Sequence, residues 1–157
     1  MKIGTSIILV FMGLLSFSRL NAEDNTTNKL DELEKLPFGL KVVIAPEKVR
    51  GHNFTWSYLT SITATNGSVV VEEFGSFEWR KDKWVSSGKP FTSQDFAVWY
   101  SCPGAKLVEG RRITSFTWHG GDALSEHRIK WYFIGVKPDG HRVKGEAVVV
   151  ILPVTDN

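Results

Sequence analysis

Residues 128–152, RIKWYFIGVKPDGHRVKGEAVVVIL, contain two apolar runs joined by a turn. The turn is Lys137-Pro138-Asp139-Gly140, in which proline and glycine preset the backbone angles of a tight reversal. The run VVVIL at 148–152 is dense enough in β-branched residues for a strand buried inside a domain. This stretch therefore predicts a strong β-hairpin at the end of the chain.

Short strands and tight turns continue toward the N-terminus. An apolar run at 40–45 predicts a first strand. The runs 54–65 and 68–74 flank Asn66-Gly67, a dipeptide that favours a two-residue hairpin turn. We therefore expect these two strands to pair with each other, with a bulge at Gly75.

Two further segments complete the pattern. A tight turn at 80–83 leads to another short strand that begins at Trp84. The spacing of apolar residues then changes from that of a strand to that of a helix. Residues 92–101, TSQDFAVWYS, predict one short helix with Thr92 as its N-cap and Asp95 as the acidic partner of the cap. Its aromatic residues fall at helical spacing, which favours a plug packed over one end of the sheets.

These elements predict a mainly β fold. Short strands at regular spacing, with one short internal helix, indicate an antiparallel β-sandwich of immunoglobulin-like or fibronectin-like type. A small β-barrel is the alternative.

The N-terminal segment indicates export. Lys2 is followed by an apolar run at 7–15 and by Ala22 just before an acidic pair, the order of features in a secretory signal peptide. We therefore divide the chain into a signal peptide at 1–22, a flexible polar tail at 23–37 that can hold a short helix, and a single β-rich domain at 38–157. The expected location is secreted or periplasmic, with no transmembrane segment after the signal is removed.

Charge and cysteine content narrow the function. Because Lys2 and Arg19 lie in the predicted signal peptide, the 19 basic residues fall to 17, which equals the number of acidic residues. A chain of balanced charge has no general electrostatic reason to bind nucleic acid. Cys102 is the single cysteine, so no disulfide can form within one chain, and we expect it to be buried and unreactive.

The sequence holds no complete catalytic set and predicts no cofactor. A blue-copper site fails because no histidine closely follows Cys102 and both methionines lie in the predicted signal peptide. Four histidines are scattered without the spacing of metal ligands, so no metal site is predicted. The alternative function is a small exported hydrolase or metal-dependent enzyme that uses the region from His119 to His127 with a carboxylate from another loop.

The leading hypothesis is an exported, non-catalytic domain that recognises a protein or a glycan through loops and exposed aromatic rings. The best candidate ring is Trp118, in the predicted glycine-rich loop 118–122, together with His119 and Asp122. Trp84, beside the 80–83 turn, is the second candidate. The sequence does not specify the oligomeric state.

Overall fold

The computed structural model describes residues 26–52, 55–120 and 125–153. It is mainly β, with two α-helices and one 3₁₀ turn at Pro103–Ala105. The elements, in chain order, are α1 (residues 26–35), β1 (Leu40–Ala45), β2 (Lys48–Arg50), β3 (Thr55–Ala64), β4 (Val69–Arg80), β5 (Lys83–Ser86), β6 (Phe91–Thr92), α2 (Ser93–Trp99), β7 (Lys106–Leu107), β8 (Arg112–Gly120), β9 (His127–Val136) and β10 (Arg142–Leu152). Among these residues, neither helix has the length and apolar composition needed to cross a bilayer.

The strands form two sheets. The small sheet has the order β1-β3-β8, and the large sheet has the order β2-β10-β9-β4-β5, with β6 and β7 also paired to β4. The mainly β prediction is thus confirmed. The expectation that all strands are antiparallel is wrong at one pair, because β2 runs parallel to β10.

The terminal hairpin forms as predicted. β9 and β10 pair antiparallel from Val136 opposite Arg142, and Gly140 in the turn adopts a φ of +85°. β10 lies between β9 and β2, so the apolar run at 148–152 is in the interior of the large sheet. This hairpin supplies two neighbouring strands of that sheet.

The hairpin predicted at Asn66-Gly67 is wrong. β3 belongs to the small sheet and β4 to the large one, so the turn between them carries the chain from one sheet to the other. A type I′ turn needs positive φ at both central residues. Here Gly67 has a φ of +87°, but Asn66 is not among the residues of positive φ. The turn of that kind lies instead between β4 and β5, where Lys81 and Asp82 have φ of +48° and +60°.

The predicted bulge at Gly75 is also misplaced. The register between β4 and β9 shifts between Val71 and Glu73, two residues before the glycine. Gly75 itself is buried within the strand, and a Cβ at this position would lie 2.8 Å from the hydroxyl oxygen of Tyr132. The glycine is therefore needed for the close approach of a side chain from β9, not for a bulge.

The predicted internal helix is confirmed and is slightly shorter than expected. Thr92 is the N-cap of α2: its Oγ1 accepts from the backbone N–H of Asp95 at 3.3 Å, and its own N–H donates to the Asp95 carboxylate at 2.7 Å. Phe96 and Tyr100 are buried against Phe74. The helix therefore packs on the core as the predicted plug.

One core cluster contains side chains from both sheets, including Trp56 and Ile62 from the small sheet and Phe74, Phe133 and Ile151 from the large one. The rings of Phe74 and Phe133 stack with their centroids 5.6 Å apart. Burial of such large apolar side chains is the main stabilising contribution in a domain whose only cysteine is free.

A second cluster lies where α1 meets the large sheet. Leu33 of α1 is 1% exposed and packs with Phe77, Tyr132 and Ile134. The sequence predicted a flexible polar tail that can hold a short helix at this point. The structure contains that helix and shows its leucine side docked on the sheet, because leucines at helical spacing form one apolar face.

Candidate binding surface

Trp118 lies in a strand, which corrects the predicted glycine-rich loop. β8 extends through Gly120, and Trp118 is paired with Ser57 of β3. Alternate residues of a strand point to opposite faces, and the neighbouring Thr117 is buried whereas Trp118 is 67% exposed. The ring therefore stands on the outer face of the small sheet, held by a regular strand.

Trp118 is part of a larger apolar surface. Phe116, two residues earlier on the same face, is 63% exposed, and Leu59, directly opposite Phe116 in the register, is 46% exposed. Val43 of β1 adds a fourth apolar side chain at 39% exposed. We call these four residues the outer patch. None of them carries a charge, and a contiguous exposed apolar surface is typical of an interaction site.

The polar groups among the residues of the outer patch are small hydroxyls, and the charged Lys41 and Arg112 lie in the next row of the same face. Ser57 lies opposite Trp118, and the hydroxyls of Ser61 and Thr114 form a hydrogen bond of 2.8 Å across β3 and β8. The hydroxyls are uncharged, so they cost less to desolvate than charged groups when a partner covers them.

A cleft of about 360 Å³ runs beside β8. It is lined by Trp99, Ser115, Phe116, Thr117, Trp118 and Trp131. Ser115 donates its hydroxyl hydrogen to the Trp99 carbonyl at 2.8 Å, which joins the end of α2 to the strand. Trp99 is 42% exposed, so the cleft and the outer patch together form one aromatic surface around β8.

The floor of the cleft rests on a neutral hydrogen-bond network. The indole N–H of Trp131 donates to the Tyr58 hydroxyl at 2.8 Å, and the hydroxyls of Thr60 and Thr117 are 3.2 Å apart. Burial raises the pKa of Tyr58 to about 12, so the phenol stays protonated at neutral pH. In the described part of the chain every buried side-chain nitrogen or oxygen has a hydrogen-bond partner. The network therefore has the character of a structural support rather than of an acid–base site.

The side chains of the two predicted site residues that follow Trp118 lie outside the described residues. His119 is paired with Trp56 in the register of β8, and its side chain lies outside the described residues. Asp122 also lies outside them. His127 begins β9 opposite Ile151. Across residues 26–52, 55–120 and 125–153, no three His, Cys, Asp or Glu side chains come together as a metal site.

The structure does not bring Trp84 near Trp118, because Trp84 lies on β5 of the large sheet. Its ring is 5.1 Å from that of Trp79 in an edge-to-face arrangement, and the Lys130 ammonium lies 4.6 Å from its centroid. Trp84 also packs against the cluster that contains Leu33. These contacts indicate a packing role for Trp84.

Cys102 is buried, and its thiol donates to the Lys106 carbonyl at 3.3 Å. Burial raises the pKa of this thiol. A protonated, buried thiol is a poor nucleophile, which agrees with the sequence-based prediction of an unreactive cysteine.

A second concave region, of about 710 Å³, lies between α1 and the large sheet. Lys29 contacts Glu32 at 2.6 Å and Glu73 at 2.9 Å, while Arg142 contacts Glu32 at 2.6 Å and Glu72 at 3.1 Å. Burial alone would raise the pKa of Glu32, but hydrogen bonds from Lys29 and Arg142 outweigh it and the pKa is lowered. This charged network fastens α1 to the sheet.

Phe116, Leu59 and Trp99 were not predicted as site residues from the sequence. The alternation in Thr114-Ser115-Phe116-Thr117-Trp118 was the available indication for Phe116, because it places two aromatic rings on one face of a strand. Leu59 and Trp99 come from other elements, and only the register of β3 and the position of α2 bring them to β8.

No family model matches the chain, and no curated protein matches it in sequence. Among solved structures, it is similar to the crystal structure of Spo0M, the sporulation control protein from Bacillus subtilis, with a TM-score of 0.37 and 4% sequence identity. The match covers 72% of this chain and 48% of that one, so the chain spans about half the length of that structure. No functional conclusion follows from so weak a likeness.

Proposed function

We propose that this chain is an exported, non-catalytic domain that binds a protein through the outer patch. The observation that carries the proposal is the exposure of Phe116 and Trp118 side by side on the small sheet, at 63% and 67%. Export rests on the pattern of residues 1–22. For the fold, we propose an immunoglobulin-like or fibronectin-like sandwich, with a small barrel as the alternative, and a domain at 38–157.

The composition of the outer patch favours a protein partner over a glycan. The centre of a protein interface is rich in aromatic residues and poor in charged ones. The outer patch has the same composition at Leu59, Phe116 and Trp118, where two of the three side chains are aromatic and none is charged. Glycan sites also use aromatic rings, but they need directional polar groups to orient sugar hydroxyls. Among the residues of the outer patch the described polar groups are small hydroxyls, and those of Ser61 and Thr114 are bonded to each other. The charged Lys41 and Arg112 lie at one end of the same face.

Site-specific photo-crosslinking in cells that produce the protein tests this proposal. We place p-benzoylphenylalanine at Phe116 and, as the matched control, at Val148, which is also exposed but lies on β10 of the large sheet. We expect one discrete protein adduct from position 116 and none from position 148. An adduct with carbohydrate and no protein would show that the ligand of the outer patch is a glycan and not a protein.

A second substitution guards against chance contacts. Adding Trp118→Ala to the Phe116 probe should reduce adduct yield about tenfold, the effect of losing one interface residue worth about 1.4 kcal/mol. Because Trp118 is exposed, the melting temperature should stay unchanged. If the adduct persists at full yield, the outer patch is not the binding surface.

A further inference from the structure

β8 differs from the other sheet edges in the described part of the chain. It is the outermost strand of the small sheet, and no described strand pairs with its other side. The end of α2 meets β8 through the Ser115 side chain, whose hydroxyl donates to the Trp99 carbonyl, and not through the backbone of the strand. It is nine residues long, from Arg112 to Gly120. The outer side of an edge strand presents unpaired N–H and C=O groups, which can template pairing with another strand.

The remaining edges are short, charged or covered. β2 has three residues, two of which are Lys48 and Arg50, and β5 has four residues and begins with Lys83. The start of β1 is bonded to β10, where the Gly39 N–H donates to the Lys144 carbonyl at 3.1 Å. Short length, charge and covering all protect an edge from pairing. β8 has one permanent charge, Arg112, at its first position.

We propose that β8 pairs antiparallel with β8 of a second copy of this chain, so that two small sheets join into one. This inference rests on the proposed function and names the partner of the same surface. Full overlap of the nine residues places Phe116 on the twofold axis, Thr114 opposite the partner's Trp118 and Arg112 opposite the partner's Gly120. The two Arg112 charges then lie at opposite ends of the seam, so no like charges face each other.

This pairing also covers the exposed aromatic rings. The two Phe116 rings face each other across the axis, and each Trp118 lies diagonal to the partner's Phe116, a spacing that large rings can bridge. The cleft beside β8, with Trp99 in its lining, lies along the same seam. After the predicted signal peptide the chain has 17 basic and 17 acidic residues, so its net charge does not oppose association.

Disulfide trapping tests the register directly. In a Cys102→Ala background, Phe116→Cys brings two cysteines together at the axis, where directly opposed Cα atoms are about 4.5–5.5 Å apart and a disulfide can form. Thr114→Cys is the matched control on the same face: its two copies would be offset by about four residues, roughly 13 Å. Under mildly oxidising conditions we expect Phe116→Cys to form a covalent dimer and Thr114→Cys to form little of it. Equal yields, or no dimer from Phe116→Cys while both variants keep the parent's melting temperature, would overturn the proposed register.

Sedimentation equilibrium of the unmodified protein gives an independent readout. We expect a concentration-dependent dimer whose Kd rises at least tenfold in Phe116→Lys, because two ammonium groups then meet at the axis, while Val148→Lys leaves the Kd unchanged. A monomer at every concentration, or a dimer indifferent to Phe116→Lys, contradicts the inference. A monomer that still gives a Phe116 photo-adduct with a different protein would leave the proposed function standing without the dimer. If position 116 gives no photo-adduct with any protein, the proposed function fails and the dimer fails with it, because the probe lies on the twofold axis.

Discussion

Gly75 shows how one residue fixes the approach of two strands. It is buried in β4 under the ring of Tyr132 from β9, whose hydroxyl donates to the Glu73 carboxylate at 2.9 Å. Burial, followed by the nearby carboxylates, raises the pKa of this phenol. The absence of a side chain at Gly75 therefore makes room for a hydrogen bond that links β9 to β4.

Gly75→Ala should destabilise the domain by about 1–3 kcal/mol, because the new methyl group overpacks against Tyr132. Urea unfolding monitored by tryptophan fluorescence gives the free energy of unfolding. Ser76→Ala, at the next position of β4, is the matched control and should change it by much less. Equal effects of the two substitutions would show that the contact with Tyr132 is not tight.

At the scale of elements, α1 combines one apolar anchor with a charged network. Leu33 enters the second core cluster, while Lys29 and Glu32 contact side chains of the large sheet. The pKa of Glu32 is lowered and that of Lys29 is raised, since in both cases hydrogen bonds and charge pairs outweigh the opposing effect of burial. The docking of α1 on the sheet therefore depends on pH twice, at acidic pH through Glu32 and at basic pH through Lys29.

The lowered pKa of Glu32 determines how the docking of α1 changes with pH. Its contribution to docking is fully present above the unfolded value of about 4.3 and is lost as pH falls through the lower folded value. Backbone NMR shifts of residues 26–35, followed from about pH 7 to about pH 3, should move toward coil values in that window. Glu32→Gln should weaken docking at neutral pH and flatten this titration, whereas Glu34→Gln, at an exposed position of the same helix, should leave it unchanged. A titration that is the same in both variants would contradict the role of Glu32.

The turns show what local sequence can and cannot predict. The hairpin at Lys137–Gly140 and the cap formed by Thr92 and Asp95 were predicted correctly, because turns and helix caps depend on residues that are close together in sequence. The hairpin predicted at Asn66-Gly67 does not form, because the pairing of β3 depends on burial of side chains across the whole domain. A dipeptide carries no information about that burial. The outer patch was missed in part for the same reason: Phe116 meets Leu59 only through the register of two distant strands.

The turn between β4 and β5 places two non-glycine residues in the left-handed region, Lys81 and Asp82. Asp82→Gly should stabilise the domain by about 1 kcal/mol, because glycine adopts this conformation without steric cost. The same change at Asp139, which is not among the residues of positive φ, should destabilise it, because it adds chain entropy and removes the carboxylate that accepts from the His141 N–H at 3.0 Å. Thermal unfolding followed by circular dichroism compares the two variants, and a stabilising effect at both positions would refute the explanation.

At the scale of the whole molecule, Cys102 reports on opening of the core. It belongs to the cluster shared by both sheets, and its thiol is buried and hydrogen-bonded. A disulfide reagent should therefore label it slowly in the native protein and rapidly in denaturant. The labelling rate should rise with the population of opened molecules, so Phe74→Ala, which removes a fully buried ring at a cost of about 3–5 kcal/mol, should accelerate it strongly. Val148→Ala is the exposed control, and similar rates in the two variants would place Cys102 outside the cooperative core.

The parallel pairing of β2 with β10 has a consequence for the order of folding. Lys48 pairs with Val150, so most of the chain lies between the two partners. During synthesis β10 emerges long after β2, and contacts of such high sequence separation form slowly because loop closure precedes any gain from pairing. A nascent chain that stops before β10 leaves both β2 and β9 without their shared neighbour. We therefore expect the order β2-β10-β9-β4-β5 to be complete only after the terminal hairpin has formed, so β2 waits for its partner until the end of translation.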